Sequence, residues 1–95
     1  MLIDPYVIDT LMPDLVGHDR APSAYLVYLQ LLRRTHAADG KSVSIALQDI
    51  AESTGLSKRT VQSALAHLAY RRLITVRREG VTSVPEYTVL RPWRR

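Results

Sequence analysis

The chain has no cysteine among its 95 residues. That excludes disulfides and thiolate metal sites, and it is neutral on compartment. Glycine is scarce, at four residues, and none of them builds a glycine-rich phosphate loop. Aromatic residues make up only 6%, too few for the stacking platform of a single-strand nucleic-acid binder. No run approaches the roughly 18 uninterrupted apolar residues of a membrane span. The N-terminus lacks a basic stretch ahead of an apolar one, so no signal peptide is expected. His18, His36 and His67 fall at no metal-ligand spacing. No serine sits in a nucleophile-elbow context, and the acidic residues are scattered over loop and cap positions without a pair. The expectation is a cytoplasmic protein with no membrane partner, no cofactor, no metal and no catalytic activity.

What is present fits one small domain, residues 1–95, with no room for a ligand-sensing domain of ordinary size. An apolar fraction of 46% supports a core, although so short a chain buries a modest share of its surface. The net charge of +4 is unevenly spread. Residues 1–40 hold five Asp and three Arg, a balance of −2. Residues 41–95 hold ten Lys or Arg against four Asp or Glu, a balance of +6. Eleven of the thirteen basic residues are Arg, whose planar fork suits phosphates and guanine edges. The basic half is where a nucleic acid would be met.

Asp4-Pro5 opens a helix, with Asp as cap and Pro in the first turn, where its missing N–H is harmless. Val7, Ile8, Leu11 and Met12 form its apolar stripe, and Pro13 is expected to limit it. Leu15 and Val16 prolong the apolar character, and residues 17–20 read as a loop. An extended arm is the competing reading of this segment. Pro22 and Ser23 open a second helix running to about His36. From Ala24 to Leu32 it leaves almost no polar face, far more apolar than the single stripe a surface helix needs. Asp39-Gly40 reads as a turn, and Ser42–Ile45 as a short strand. Leu73–Arg78 and Val84–Leu90 alternate as a hairpin with residues 79–83 at its tip. Pro85 is tolerable near a strand start or on an edge, which suggests that the second strand is the outer one.

The run from Leu47 to Arg78 carries the most information. Leu47, Ile50 and Ala51 recur at helical spacing. Gly55 can take the left-handed conformation that ends a helix, and Ser57 is a good cap for the next one. That next helix, residues 57–71, buries Val61, Ala64, Leu65 and Leu68 on one side. It turns Arg59, Ser63, Ala66 and Tyr70 outward, flanked by Gln62 and His67. A polar, donor-rich face interrupted by one very small residue suits a helix that enters the DNA major groove.

These residues resemble the winged helix-turn-helix domains of bacterial transcriptional regulators and plasmid replication initiators. The family pattern runs L-x-x-I-A-x-x-T-G-L-S-x-R-T-V-x-x-A-L-x-x-L, then L-I-x-V and a basic wing. Leu47, Ile50, Ala51, Thr54, Gly55, Leu56, Ser57, Arg59, Thr60, Val61, Ala64, Leu65, Leu68, Leu73, Ile74 and Val76 stand at those places. The resemblance implies a mainly α fold: three core helices, a short N-terminal helix and a two- to three-stranded antiparallel sheet forming a small wing. One departure is Ala46, where a Ser or Thr cap usually stands. Either Ser44 caps instead or the strand runs straight into the helix.

The resemblance implies sequence-specific binding of double-stranded DNA, in transcription regulation or in plasmid or phage replication and partition control. Arg59, Gln62 and Ser63 are the candidates for base contact. Ser57, Lys58 and Thr60 lie at the helix N-terminus, where phosphates meet the favourable dipole end. His67 either reaches a phosphate or is simply exposed. Arg77 and Arg78 lead into the wing, residues 77–86, with Thr82 and Ser83 as neutral phosphate donors. Arg71 and Arg72 close the helix and are read as structural. The tail, residues 91–95, either follows the DNA backbone or is disordered. An alternative function, a winged-helix module for protein–protein contact, would predict an acidic or neutral second helix and a shortened, uncharged wing. Because one small domain is too little to cover all of helix 23–36, a homodimer through residues 5–16 and that helix is expected, with residues 1–20 as its dimerisation segment.

Overall fold

The computed structural model describes residues 2–38, 42–80 and 83–94. The Asp39-Gly40 turn, Thr82 and Arg95 fall outside them. Helices α1 (Pro22–Ala37), α2 (Leu47–Thr54) and α3 (Lys58–Tyr70) follow an N-terminal helical segment. Three strands, β1 (Ser42–Ser44), β2 (Ile74–Arg77) and β3 (Glu86–Val89), complete the chain. This mainly helical architecture with a small antiparallel sheet is the expected one, consistent with a winged helix-turn-helix.

The N-terminal segment departs from expectation. Pro13 does not end it, and residues 17 and 18 are helical rather than loop. The helix is wound wide, as π-helical stretches Val7–Leu11 and Pro13–His18. The Met12 N–H bonds the Val7 carbonyl and the Asp19 N–H bonds Asp14, five residues back in each case. In a tight α-helix the proline ring clashes with the carbonyl four residues before it, and the wider register removes that conflict. Asp4 does cap the segment, accepting from the Tyr6 N–H at 3.0 Å.

Val7, Leu11 and Leu15 are fully buried, because this segment lies back on its own domain. The Tyr25 hydroxyl donates to the Val7 carbonyl at 2.9 Å and fixes the contact. The cover expected from a second subunit is supplied within the chain for most of α1. Tyr25, Tyr28, Leu31 and Leu32 are buried within a single chain, under the N-terminal segment, α3 and the sheet. Tyr28 is wholly enclosed, its hydroxyl donating to the Leu90 carbonyl, and burial raises its pKa to about 12. Leu26 remains half exposed, as do Ile8, Met12 and Val16 on the outer side of the first segment.

Helix α2 begins directly from the strand. Ala46 is its N-cap residue with no side-chain cap, so Ser44 does not substitute. Asp49 in its first turn takes a two-pronged pair from Arg34 of α1, at 3.0 and 3.2 Å. Gly55 ends α2 at φ +79°, its N–H bonding the Ala51 carbonyl. Helix α3 ends in a Schellman arrangement that sequence reading missed. The Leu73 N–H bonds Leu68 and the Arg72 N–H bonds Ala69, with Arg72 at φ +57°.

The sheet order is β1-β3-β2, both pairings antiparallel. The second hairpin strand is therefore central, contrary to the reading of Pro85 as marking an outer strand. Pro85 precedes the strand proper, and its carbonyl accepts the Ile45 N–H. Its lack of an N–H thus removes no ladder bond. Tyr87, paired with Val43 on one side and Val76 on the other, forms the buried centre of the sheet.

Replacing Gly55 with Ala tests the turn. No atom lies within 4 Å of a Cβ added there, so the cost is one of backbone alone. Gly55→Ala is expected to destabilise by about 1–2 kcal/mol, a fall in melting temperature of roughly 4–16 °C for a domain of this size. Gly55→Asn should lose less. Thermal denaturation followed by circular dichroism checks both.

Candidate nucleic-acid interface

The local chemistry of α3 begins at Ser57. Its Oγ accepts the Thr60 N–H at 3.1 Å and donates to Thr60 Oγ1 at 2.9 Å. Both hydroxyls are therefore engaged in the cap, and they set the helix's direction. Val61, Ala64, Leu65 and Leu68 are buried as the spacing predicted. Lys58, Arg59, Gln62 and Ser63 stand exposed on the first two turns. Among the described residues, Lys58 and Arg59 have no anionic partner. Ala66 and Tyr70 continue the same exposed face, with Tyr70 at 82% exposure.

The second half of α3 is used differently. His67 Nε2 lies 2.7 Å from Asp19 Oδ2, so its imidazole faces a carboxylate of its own chain rather than open solvent. Arg71 bridges Asp19 and Asp14 with its two terminal nitrogens. These two aspartates tie the N-terminal segment to the end of α3. The fold also makes an acidic pair that the sequence did not reveal, with His18 beside it at 3.0 Å from Asp19. The Arg71 guanidinium between the carboxylates makes this an ion-pair cluster.

Asp19 is held to a pKa of about 2. Hydrogen bonding from His18, then from His67 and Arg71, together with the charge of Arg71, outweighs the opposing effect of burial. Arg71 is thus structural, as its place at the helix end suggested.

The hairpin brings further cations near α3. Arg78 and Gln62 both line a cleft between the helix and the sheet. Arg77 points outward, with only a loose 3.9 Å contact to Glu79 between two well-exposed side chains, which contributes little. Ser83 closes the hairpin turn on itself: its hydroxyl accepts the Gly80 N–H and donates to the Gly80 carbonyl, both at 2.8 Å. Thr82, the other neutral candidate, lies outside the described residues.

The tail is partly fixed. Trp93 stacks on Tyr6 with centroids 4.3 Å apart, and its indole N–H donates to Asp4. Arg94 bonds the same carboxylate at 3.0 Å. These donors hold the Asp4 pKa below its ordinary value, the Trp93 bond most of all, then the Tyr6 N–H. No helix among the described residues is long and apolar enough to cross a membrane.

The Asp19 cluster makes a pH prediction. Its pKa is depressed in the folded chain, so its contribution is present above the ordinary value of 3.8 and is lost as pH falls towards about 2. Asp19→Asn is expected to lower stability by about 1–3 kcal/mol at neutral pH. The gap between variant and wild type should close between about pH 4 and pH 2. Urea unfolding across that range is the measurement.

A family model described as a helix-turn-helix domain matches residues 21–74, more than half of the chain, from the start of α1 into β2. Comparisons with curated proteins and with solved structures gave no match.

Proposed function

The chain belongs to this helix-turn-helix family, and on that premise we propose that it is a sequence-specific binder of double-stranded DNA. The observation that carries the reading is the polarity of α3. Its N-terminal half presents Lys58, Arg59, Gln62 and Ser63 to solvent, while at its C-terminal end His67 and Arg71 face carboxylates of the same chain. Residues near the N-terminus of a recognition helix are the ones that meet base edges. In this reading α3 lies in the major groove, with Arg59, Gln62 and Ser63 on bases. Lys58 and the helix dipole meet a phosphate, and Arg77 and Arg78 of the wing rest on the flanking backbone or minor groove. The protein acts by occupancy rather than catalysis, in transcription or in replication and partition control.

A homodimer is the finer part of this proposal. With the N-terminal segment folded back, the surface left for it is the outer stripe of Ile8, Met12 and Val16, together with Leu26. Pairing would double the DNA contact and set two copies of α3 about 34 Å apart. Light scattering at micromolar concentration should give twice the chain mass; a monomer there overturns this part and leaves DNA binding standing.

Gel-shift titration at two salt concentrations tests the main reading. Replacing Arg77 and Arg78 by Ala should weaken binding to all duplexes by similar factors. The slope of log affinity against log salt should become shallower by about 0.9 for each lost phosphate contact. Arg59→Ala should instead relax preference at one base position, at a cost of about 1–3 kcal/mol. Uniform weakening on every sequence would reassign Arg59 to a phosphate, and an unchanged slope in the wing variant would remove the wing from the interface.

A further inference from the structure

Between α3 and the hairpin lies a cleft of about 220 Å³ whose lining is largely apolar. Ala66 and Ala69 of α3 form one wall, Val76 of β2 the other, and Tyr87 lies at its base, almost fully buried. Gln62 and Arg78 are its polar members. Val76 is 43% exposed, and Ala66 and Ala69 are exposed as well. This apolar surface adjoins the face of α3 that is otherwise polar and free of anions.

Spacing along α3 divides the exposed face into two neighbouring pairs, each one turn apart: Arg59 with Ser63, and Gln62 with Ala66. The first pair offers only hydrogen-bonding groups. The second offers an amide that both donates and accepts, beside a bare methyl at the edge of the cleft. One base-pair edge has that same composition. In the major groove adenine shows an acceptor and a donor, matched two-fold by a glutamine amide, and its partner thymine shows a C5-methyl. A G·C pair has no methyl there, and its cytosine amine would face Ala66 with nothing to accept its hydrogen. The small side chains at 63, 66 and 69 also let the helix backbone approach the groove floor closely.

We infer that Gln62 and Ala66 together read one A·T base pair, the amide bonding adenine and the thymine C5-methyl lying against Ala66 at the mouth of the cleft. This rests on the DNA-binding reading above and adds the chemistry of one position in the site. Arg78 also lines the cleft, and in this placement it would lie beside the DNA backbone.

The test uses the full chain and a duplex selected from a random pool. Each thymidine in the selected site is replaced in turn by deoxyuridine, which removes the methyl and nothing else. At one position wild-type affinity should fall by roughly three- to fourfold, the value of one buried CH₂-sized group. At that pair alone, Gln62→Ala should lower the preference for A·T by at least about fivefold. Ala66→Gly and Ala66→Ser, checked for folding by circular dichroism, should bind the thymidine and deoxyuridine forms alike. If no position responds to the methyl, or if the responsive thymidine is indifferent to both residues, the inference is overturned while DNA binding stands. If no duplex is bound even at low salt, the DNA-binding reading falls and this inference falls with it.

Discussion

Helix α1 sets the terms for the rest of the structure. It is apolar around most of its circumference, and a domain of this size has little interior in which to place such a helix. The chain meets the constraint by surrounding α1. Helix α3 and α2 take one side, the sheet another, and the N-terminal segment covers what remains. The polar side-chain atoms of α1 that this enclosure would orphan are satisfied, Tyr25 on the Val7 carbonyl, Tyr28 on the Leu90 carbonyl and Thr35 on the Leu32 carbonyl. An unpaired buried hydroxyl would cost more than any one of these bonds contributes. Both tyrosines thus act as staples as well as core.

The wide winding of the first segment follows from the same need. Covering α1 requires an apolar stripe long enough to reach from Val7 to Leu15. Pro13 stands within that span and would break an ordinary α-helix. Five-residue bonding carries the helix past the proline and keeps the stripe continuous. It also brings Asp14 and Asp19 onto one side, where a single guanidinium can hold both.

This shows why some of the fold was legible in the sequence and some was not. The α2-turn-α3 unit was readable because each signal there is local. Gly55 takes the positive φ, Ser57 makes the cap bond, and the buried four of α3 recur at helical spacing. The first segment was not, because reading Pro13 as a stop presumes α-helical bonding. One trace of the wide register was present: Asp4, Asp9, Asp14 and Asp19 recur every fifth residue, which in an α-helix would scatter them around the axis. The position of β3 was hidden for another reason. That strand is central only because β1, more than forty residues earlier, pairs on its far side, and no nearby residue encodes so distant a pairing. Of the candidate contacts, Arg59, Gln62 and Ser63 emerged as exposed as their helical positions indicated. His67 did not, because its partner lies 48 residues away in a segment read as loop.

The charge asymmetry between the two halves of the chain takes on a different meaning in the folded molecule. The acidic first half supplies partners for the basic second half. Asp4 meets Arg94, and Asp14 and Asp19 meet Arg71. Each pair joins the first segment to a basic residue of the second half. Along α3 the result is a gradient. Its last turn is neutralised by carboxylates from its own chain, while its first turn keeps Lys58 and Arg59 unpaired among the described residues, at the end where the helix dipole is also positive. A cation already bonded to a carboxylate contributes little attraction towards a phosphate. Within α3 itself the cations left without a carboxylate among the described residues are Lys58 and Arg59, beside the polar face formed by Gln62 and Ser63, while Arg72 stands exposed just past the other end. Internal pairing holds the N-terminal segment in place, and the same contacts engage Arg71 within the chain.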